Sequence, residues 1–202
     1  MHSARSKPYL IGITGGIGSG KTMICQFLAD AYSTPVISLD AICRELLHPG
    51  NSGWSGLKTL LSDDFFISSG EVDRGRFRQA LFSDAALRIR VDALLHPLAR
   101  QEMEKQAAAV SGPVLAEIPL LFEAGWQDAV QQIIVVYADL SVRLQRIMQR
   151  DRVSEEQARQ AIAAQQSLAE KAAVVDYVID NSGNLLDTCI LARQLAAELG
   201  LA

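Results

Sequence analysis

The sequence predicts an α/β protein of three layers, with a five-stranded parallel sheet flanked by helices. Three observations predict it. Gly15-Gly16-Ile17-Gly18-Ser19-Gly20-Lys21-Thr22 fits G-x-x-x-x-G-K-[ST] at every fixed position, a pattern that chance places in roughly one chain of this length in a hundred. Short apolar runs alternate with stretches of helical periodicity, the rhythm of a parallel sheet covered on both faces. Residues 51–112 contain no convincing parallel strand, so a helical insertion interrupts that rhythm.

The first apolar run, residues 9–14, reads as a buried strand entering the glycine-rich stretch, and residues 22–31 read as the helix leaving it. This is the phosphate-binding loop of the P-loop NTPase fold. Glycines let backbone N–H groups converge on phosphate oxygens, and the helix N-terminus adds partial positive charge. Gly15 through Thr22, with Met23 following, are therefore candidates to bind a nucleoside triphosphate. Lys21 would reach the β- and γ-phosphates, and the Thr22 hydroxyl would coordinate Mg²⁺. A dinucleotide site is excluded on spacing, since no G-x-G-x-x-G can be read here.

Ile24, Phe27, Leu28 and Ala31 lie at helical spacing and should pack on the sheet. Residues 35–39 form a second strand with Asp40 at its end, just before the helical pattern of Ile42, Leu46 and Leu47. Asp40 has two compatible readings: a helix N-cap, or a catalytic carboxylate at the strand edge where ligands bind in open α/β sheets. In the insertion, Trp54, Leu57, Leu60 and Leu61 suggest a helix, and residues 65–72 a small hairpin. A helix begins near Arg74, and a longer one carries Pro97, which should kink or break it. The insertion holds Arg74, Arg76, Arg78, Arg88, Arg90, Arg100 and His96. Each arginine alone suits a solvated face, but together they offer an anionic ligand several partners.

Residues 113–118 are a third strand, whose Glu117 either pairs with a basic neighbour or sits beside Mg²⁺. Residues 132–137 are a fourth. Asp139 or Ser141 then caps a helix on which Arg143, Arg146 and Arg150 share one face, beside the apolar Leu140, Leu144 and Ile147. Arginines on a helix over a triphosphate could neutralise charge developing in transfer, as a lid does. Ser154-Glu155-Glu156-Gln157 is a capping-box pattern that starts a second helix through Gln165. Residues 177–179 are the fifth strand, and residues 185–199 an amphipathic closing helix.

The chain of 202 residues suits a single domain, 1–202, with subdomains at 51–112 (insertion) and 141–172 (lid). A net charge of −4 gives no support to a general nucleic-acid role. No apolar run is long enough for a membrane span, and the residues after the basic N-terminus are too few for a signal peptide's apolar core. Three scattered cysteines without C-x-x-C suit a reducing cytoplasm and offer no zinc site.

Taken together these residues resemble the dephospho-coenzyme A kinases over essentially the whole chain. The resemblance rests on Gly-Ile-Thr-Gly-Gly-Ile-Gly-Ser-Gly-Lys-Thr (12–22), Val36-Ile37 with Asp40, His48-Pro49-Gly50, and Leu95-His96-Pro97-Leu98. It continues in Pro119-Leu120-Leu121-Phe122-Glu123, Arg146 with Gln149-Arg150-Asp151, Ala163-Ala164-Gln165, and Asp176 to Asn181. The family usually has Asp-Ala-Asp where this chain has Ser38-Leu39-Asp40, so the catalytic aspartate is kept and the first acid is lost. The resemblance implies transfer of the γ-phosphoryl of ATP to the 3′-hydroxyl of dephospho-CoA, the last step of coenzyme A synthesis. It implies Asp40, Lys21 and Arg146 as catalytic residues, with Arg150 as a second lid contact. Asn181 and Gly183 would lie near the adenine, and Arg74, His96, Pro119 and Leu120 beside the acceptor. A cytoplasmic monomer is expected, with an oligomer left open. The rival readings are another small-molecule P-loop kinase, or a nucleotide-dependent switch, which would need an Asn-Lys-x-Asp that the chain lacks.

Overall fold

The computed structural model describes residues 9–201; residues 1–8 and Ala202, and with them the basic N-terminal stretch, lie outside the described residues. Five strands form one sheet: β1 (Tyr9–Gly15), β2 (Val36–Ser38), β3 (Pro113–Glu117), β4 (Gln132–Tyr137) and β5 (Tyr177–Asp180). Their order is β2-β3-β1-β4-β5 and every pairing is parallel. Parallel neighbours need long crossovers, which the helices supply. On one face, Ile11, Ile13, Leu115, Ile134, Val136 and Ile179 pack against α1 (Lys21–Tyr32) and α9 (Leu185–Glu198). Alternation along β1 turns Leu10 and Gly12 to the other face. There the chain after β3 comes close, so that a Cβ on Gly12 would meet Leu121 at 2.9 Å. Both faces are covered, which is why the strands read as continuous apolar runs.

Residues from Leu39 to Lys105 form a second compact unit, apart from the sheet-bearing unit that ends at Ser38 and resumes at Gln106. It contains α2 (Leu39–Leu46), α3 (Ser52–Leu60), α4 (Arg74–Ser83) and most of α5 (Ala85–Ala108). Its core is Leu57, Val72, Phe77 and Val91. Asp73 caps α4 by accepting a hydrogen bond from Arg76 N at 3.0 Å. The small hairpin expected at 65–72 is present in minimal form: one antiparallel bridge, Phe66 to Val72, with Ile67 N donating to Glu71 O at 2.9 Å and Asp73 N to Phe65 O at 2.8 Å. Of the kink or break expected at Pro97, the break does not occur, since α5 is a continuous 24-residue helix. Ala93, whose carbonyl loses its partner to the proline, is exposed, so water can satisfy it.

Back in the sheet-bearing unit, β4 leads into α6 (Leu140–Asp151), α7 (Glu155–Ala163) and α8 (Leu168–Ala173). The capping box at Ser154 and Gln157 is formed in both directions, at 3.0 and 3.3 Å. The sequence predicts two helices over this stretch and the structure has three. The last, α8, is only six residues long, too short to show a periodicity of its own.

Candidate active site

The geometry of the site follows from where β1 and β3 end. Ile13 pairs with Glu117, so the chain leaves β1 for the phosphate loop beside the C-terminal end of β3. Gly18 (φ 79°) and Gly20 (φ 90°) turn the loop through left-handed conformations that favour glycine, and α1 then begins at Lys21. The Thr22 hydroxyl donates to Glu117 Oε1 at 2.5 Å. Of the two readings of Glu117, the structure brings it to Thr22, an oxygen pair at the loop's exit. Nearby Cys25, buried on α1, has its thiol pushed up to about 12, first by burial and then by the Glu117 charge.

A cleft of about 520 Å³ opens over the loop. Gly16, Gly18, Gly20, Lys21, Thr22 and Met23 line it from the loop and α1, and Arg146, Gln149 and Arg150 from α6. The structure thus brings together the loop and two of the three lid arginines, and adds Gln149, which no spacing singled out. Arg146 donates to the carbonyl oxygens of Gly18 and Ser19, both at 3.4 Å, and to that of Asn181 at 3.0 Å. Arg150 is exposed and doubly paired with Asp151 at 2.8 Å, a contact that holds its guanidinium pKa up.

Arg143 differs from the other two. It is buried, burial lowers its pKa, and its Nε donates to Ile17 O at 2.9 Å beneath the loop. A hydrophobic periodicity signal existed, because Arg143 is three residues from Leu140 and four from Ile147, on the border of the apolar stripe.

Two further residues, the predicted Asn181 and Gln165, bond to the loop's backbone. Ser19 is fully buried. Asn181 is also buried; its Nδ2 donates to Ser19 O at 2.8 Å, and its Oδ1 accepts from Thr188. Gly183 is exposed on the turn before α9. Gln165 Oε1 accepts from Ile17 N at 2.7 Å, a contact across 148 residues that no local pattern could disclose. Pro119 O accepts from Thr14 Oγ1 at 3.4 Å, with Leu120 exposed beside it.

In the second unit, Asp40 is exposed in the first turn of α2, not before it. The N-cap reading of Asp40 is thereby corrected, because the chain passes from β2 into the helix with no linker and α2 already opens at Leu39. Arg74 is exposed and lines, with His48 and Glu71, a hollow of about 320 Å³. His96 Nε2 lies 3.7 Å from Asp92 Oδ1, one turn earlier on α5.

A parallel sheet whose first strand feeds a G-x-x-x-x-G-K-T loop, with arginines across the cleft, defines a P-loop kinase. A profile of the family described as Dephospho-CoA kinase matches residues 9–187. The chain belongs to the dephospho-CoA kinase family. It is 37% identical over 193 residues to a dephospho-CoA kinase of Geobacillus kaustophilus, covering 94% of each chain. It is 36% identical over 182 residues to the Arabidopsis thaliana enzyme, covering 88% of this chain and 78% of that one. Among solved structures, TT1252 from Thermus thermophilus superposes with a TM-score of 0.81 at 32% identity, covering 96% and 98% of the two chains. Shikimate kinase from Acinetobacter baumannii, at 18% identity and a TM-score of 0.55, covering 97% and 95%, shares the fold. The chain is thus a kinase of small molecules, with ATP as its phosphoryl donor, and no helix among the described residues is long and apolar enough to cross a membrane.

Proposed function

We propose that this chain transfers the γ-phosphoryl of ATP to the ribose 3′-hydroxyl of dephospho-CoA, giving coenzyme A. The observation that carries the reading is the cleft in which Lys21, Thr22 and Arg146 converge, in a chain of this family. The triphosphate would lie along the loop's N–H groups, with the Lys21 ammonium at the β- and γ-phosphates. Arg146, held at the cleft by carbonyl oxygens, would exchange them for phosphoryl oxygens, to which a guanidinium binds more strongly. Arg150 would join it from the same helix. Residues 141–172 would cover the donor as a lid, and the insertion at 51–112, with Arg74 and His96, would hold the acceptor. Pro119 and Leu120 would touch the acceptor as well. Asn181 and Gly183 would border the adenine. Asp40 would take the 3′-hydroxyl proton or orient that oxygen.

Thr22 Oγ1 beside Glu117 Oε1 is an all-oxygen donor pair, which suits Mg²⁺. No cluster of three or more His, Cys, Asp or Glu that could hold a metal occurs among the described residues. A cation held by these two groups would take its other ligands from phosphate and water, the usual arrangement for Mg²⁺ in phosphoryl transfer. When bound it supplies charge neutralisation on the phosphates, and Glu117 would orient the Thr22 hydroxyl toward it.

The test measures ADP release with dephospho-CoA, adenosine, AMP and gluconate as alternative acceptors. Dephospho-CoA should be preferred, and Lys21→Ala should depress turnover by several orders of magnitude in a folded protein. Preference for another acceptor would overturn the substrate. A Lys21→Ala variant within about tenfold of the parent would remove the loop from the chemistry.

A further inference from the structure

A glycine-rich loop has few side chains by which the fold can hold it; beside the bonds that Arg146 and Asn181 make to Gly18 and Ser19, one hold falls on Ile17. Its side chain packs on Leu144, Ile147 and Ala158 between α6 and α7. Its carbonyl accepts from Arg143 and its N–H donates to Gln165, at 2.9 and 2.7 Å. Gln165 lies just after α7, in the turn before α8. The N–H of the next residue, Gln166, donates to Glu123 Oε1 at 3.1 Å. That same oxygen accepts from Lys171 Nζ at 2.7 Å. Lys171 is fully buried, while the Glu123 side chain is 24% exposed.

We infer that Gln165 is a positioning residue for the phosphate loop, held in place through Gln166 by the Glu123–Lys171 pair. The deduction deepens the kinase reading and rests on it. A flexible side chain can offer its oxygen to Ile17 N–H only if its own backbone is fixed. Glu123 fixes that backbone one residue on, and Lys171, bonded to the same oxygen from inside α8, offsets its charge. The plainer alternative is that the ion pair docks α8 and does nothing for the loop.

Two comparisons separate these. Gln165→Ala removes the acceptor of Ile17 N–H from a half-buried surface position. ATP affinity by calorimetry, and kcat/KM for ATP, should fall about fivefold, the usual worth of one hydrogen bond. The KM for dephospho-CoA and the melting temperature should stay near the parent's. Parent-like ATP binding in Gln165→Ala overturns the proposal.

The second comparison removes both charges together, so that no buried charge is left unpaired. Glu123→Gln with Lys171→Met keeps an amide oxygen able to accept from Gln166 N–H, and ATP binding should stay within about twofold of the parent. Glu123→Ala with Lys171→Met lacks that oxygen and should lose about fivefold. Equal ATP affinity in the two double variants would reduce the pair to docking α8. Calorimetry with ATP alone keeps this separate from the acceptor. A parent that binds ATP but leaves dephospho-CoA untouched refutes the substrate reading, and the comparison of ATP affinities still decides this one.

Discussion

Asp40 is one carboxylate for which stability and chemistry can be taken apart. Lying in the first turn of α2, it gains from the helix dipole, an effect of about 0.3–1 kcal/mol at an exposed site. Asp40→Asn removes the charge and leaves the shape. As a helix-terminus charge alone, its loss would shift stability slightly and leave turnover intact. As the group that takes or orients the 3′-hydroxyl proton, its loss should cost about 10² to 10⁴ in kcat. We expect the second outcome: a folded protein, with a melting temperature near the parent's, that is nearly inactive. Turnover at the parent's level would leave Asp40 only its electrostatic role. At this scale the sequence discloses residues whose chemistry depends on local spacing. Lys21 and Thr22 are fixed by the glycines before them. Gln165 and Asn181 are marked only through the family resemblance, and their contacts to the loop are not legible in the sequence, because each acts on a backbone atom more than a hundred residues away. Arg143 is the intermediate case, a charged residue on the edge of an apolar stripe whose burial depends on what packs against it.

Among the elements, α7 joins a locally encoded start to a remote task. Ser154 and Gln157 exchange hydrogen bonds at its N-terminus, and Ala158 is buried in the cluster that receives Ile17. The capping box was readable because four consecutive residues make it. The packing of Ala158 was not, since alanine gives no directional signal. Helix α8 gives no sequence signal for a related reason: it is too short for a periodicity of its own, and what holds it is the Ser167 cap and the remote bond from Lys171 to Glu123. Ser154→Ala removes the acceptor of Gln157 N and should cost about 1 kcal/mol. In a chain of this size that lowers Tm by about 2–4 °C. Turnover at 25 °C should stay within about twofold, because the cap touches no residue of the cleft. A Tm equal to the parent's would mean that α7 is held by packing alone. A large loss of activity at unchanged Tm would instead place the cap in the chemistry.

For the whole molecule, five apolar runs announced five parallel strands, yet their order in space, β2-β3-β1-β4-β5, could not be read from spacing. Order is set by which crossover covers which face, and that depends on long-range packing. The division into two compact units raises the question of whether they unfold together. The chain answers with its own probes, since it has two tryptophans: Trp54 in the unit from Leu39 to Lys105, and Trp126 in the sheet-bearing unit. Helix α5 passes without interruption from one unit into the other between Lys105 and Gln106. If the unit from Leu39 to Lys105 melted, residues 106–108 at the end of α5 could not stay helical by themselves, since an isolated turn is unfavourable. We therefore predict a single transition. ATP with Mg²⁺ at a hundred times its Kd adds about 2.7 kcal/mol to a protein that binds it only when folded. That should raise the midpoint by roughly 5–10 °C. In the single-tryptophan variants Trp54→Phe and Trp126→Phe, the remaining indole should report the same shift, although the phosphate loop lies in the unit of Trp126 alone. A midpoint that rises for Trp126 and stays fixed for Trp54 would show two units that melt independently.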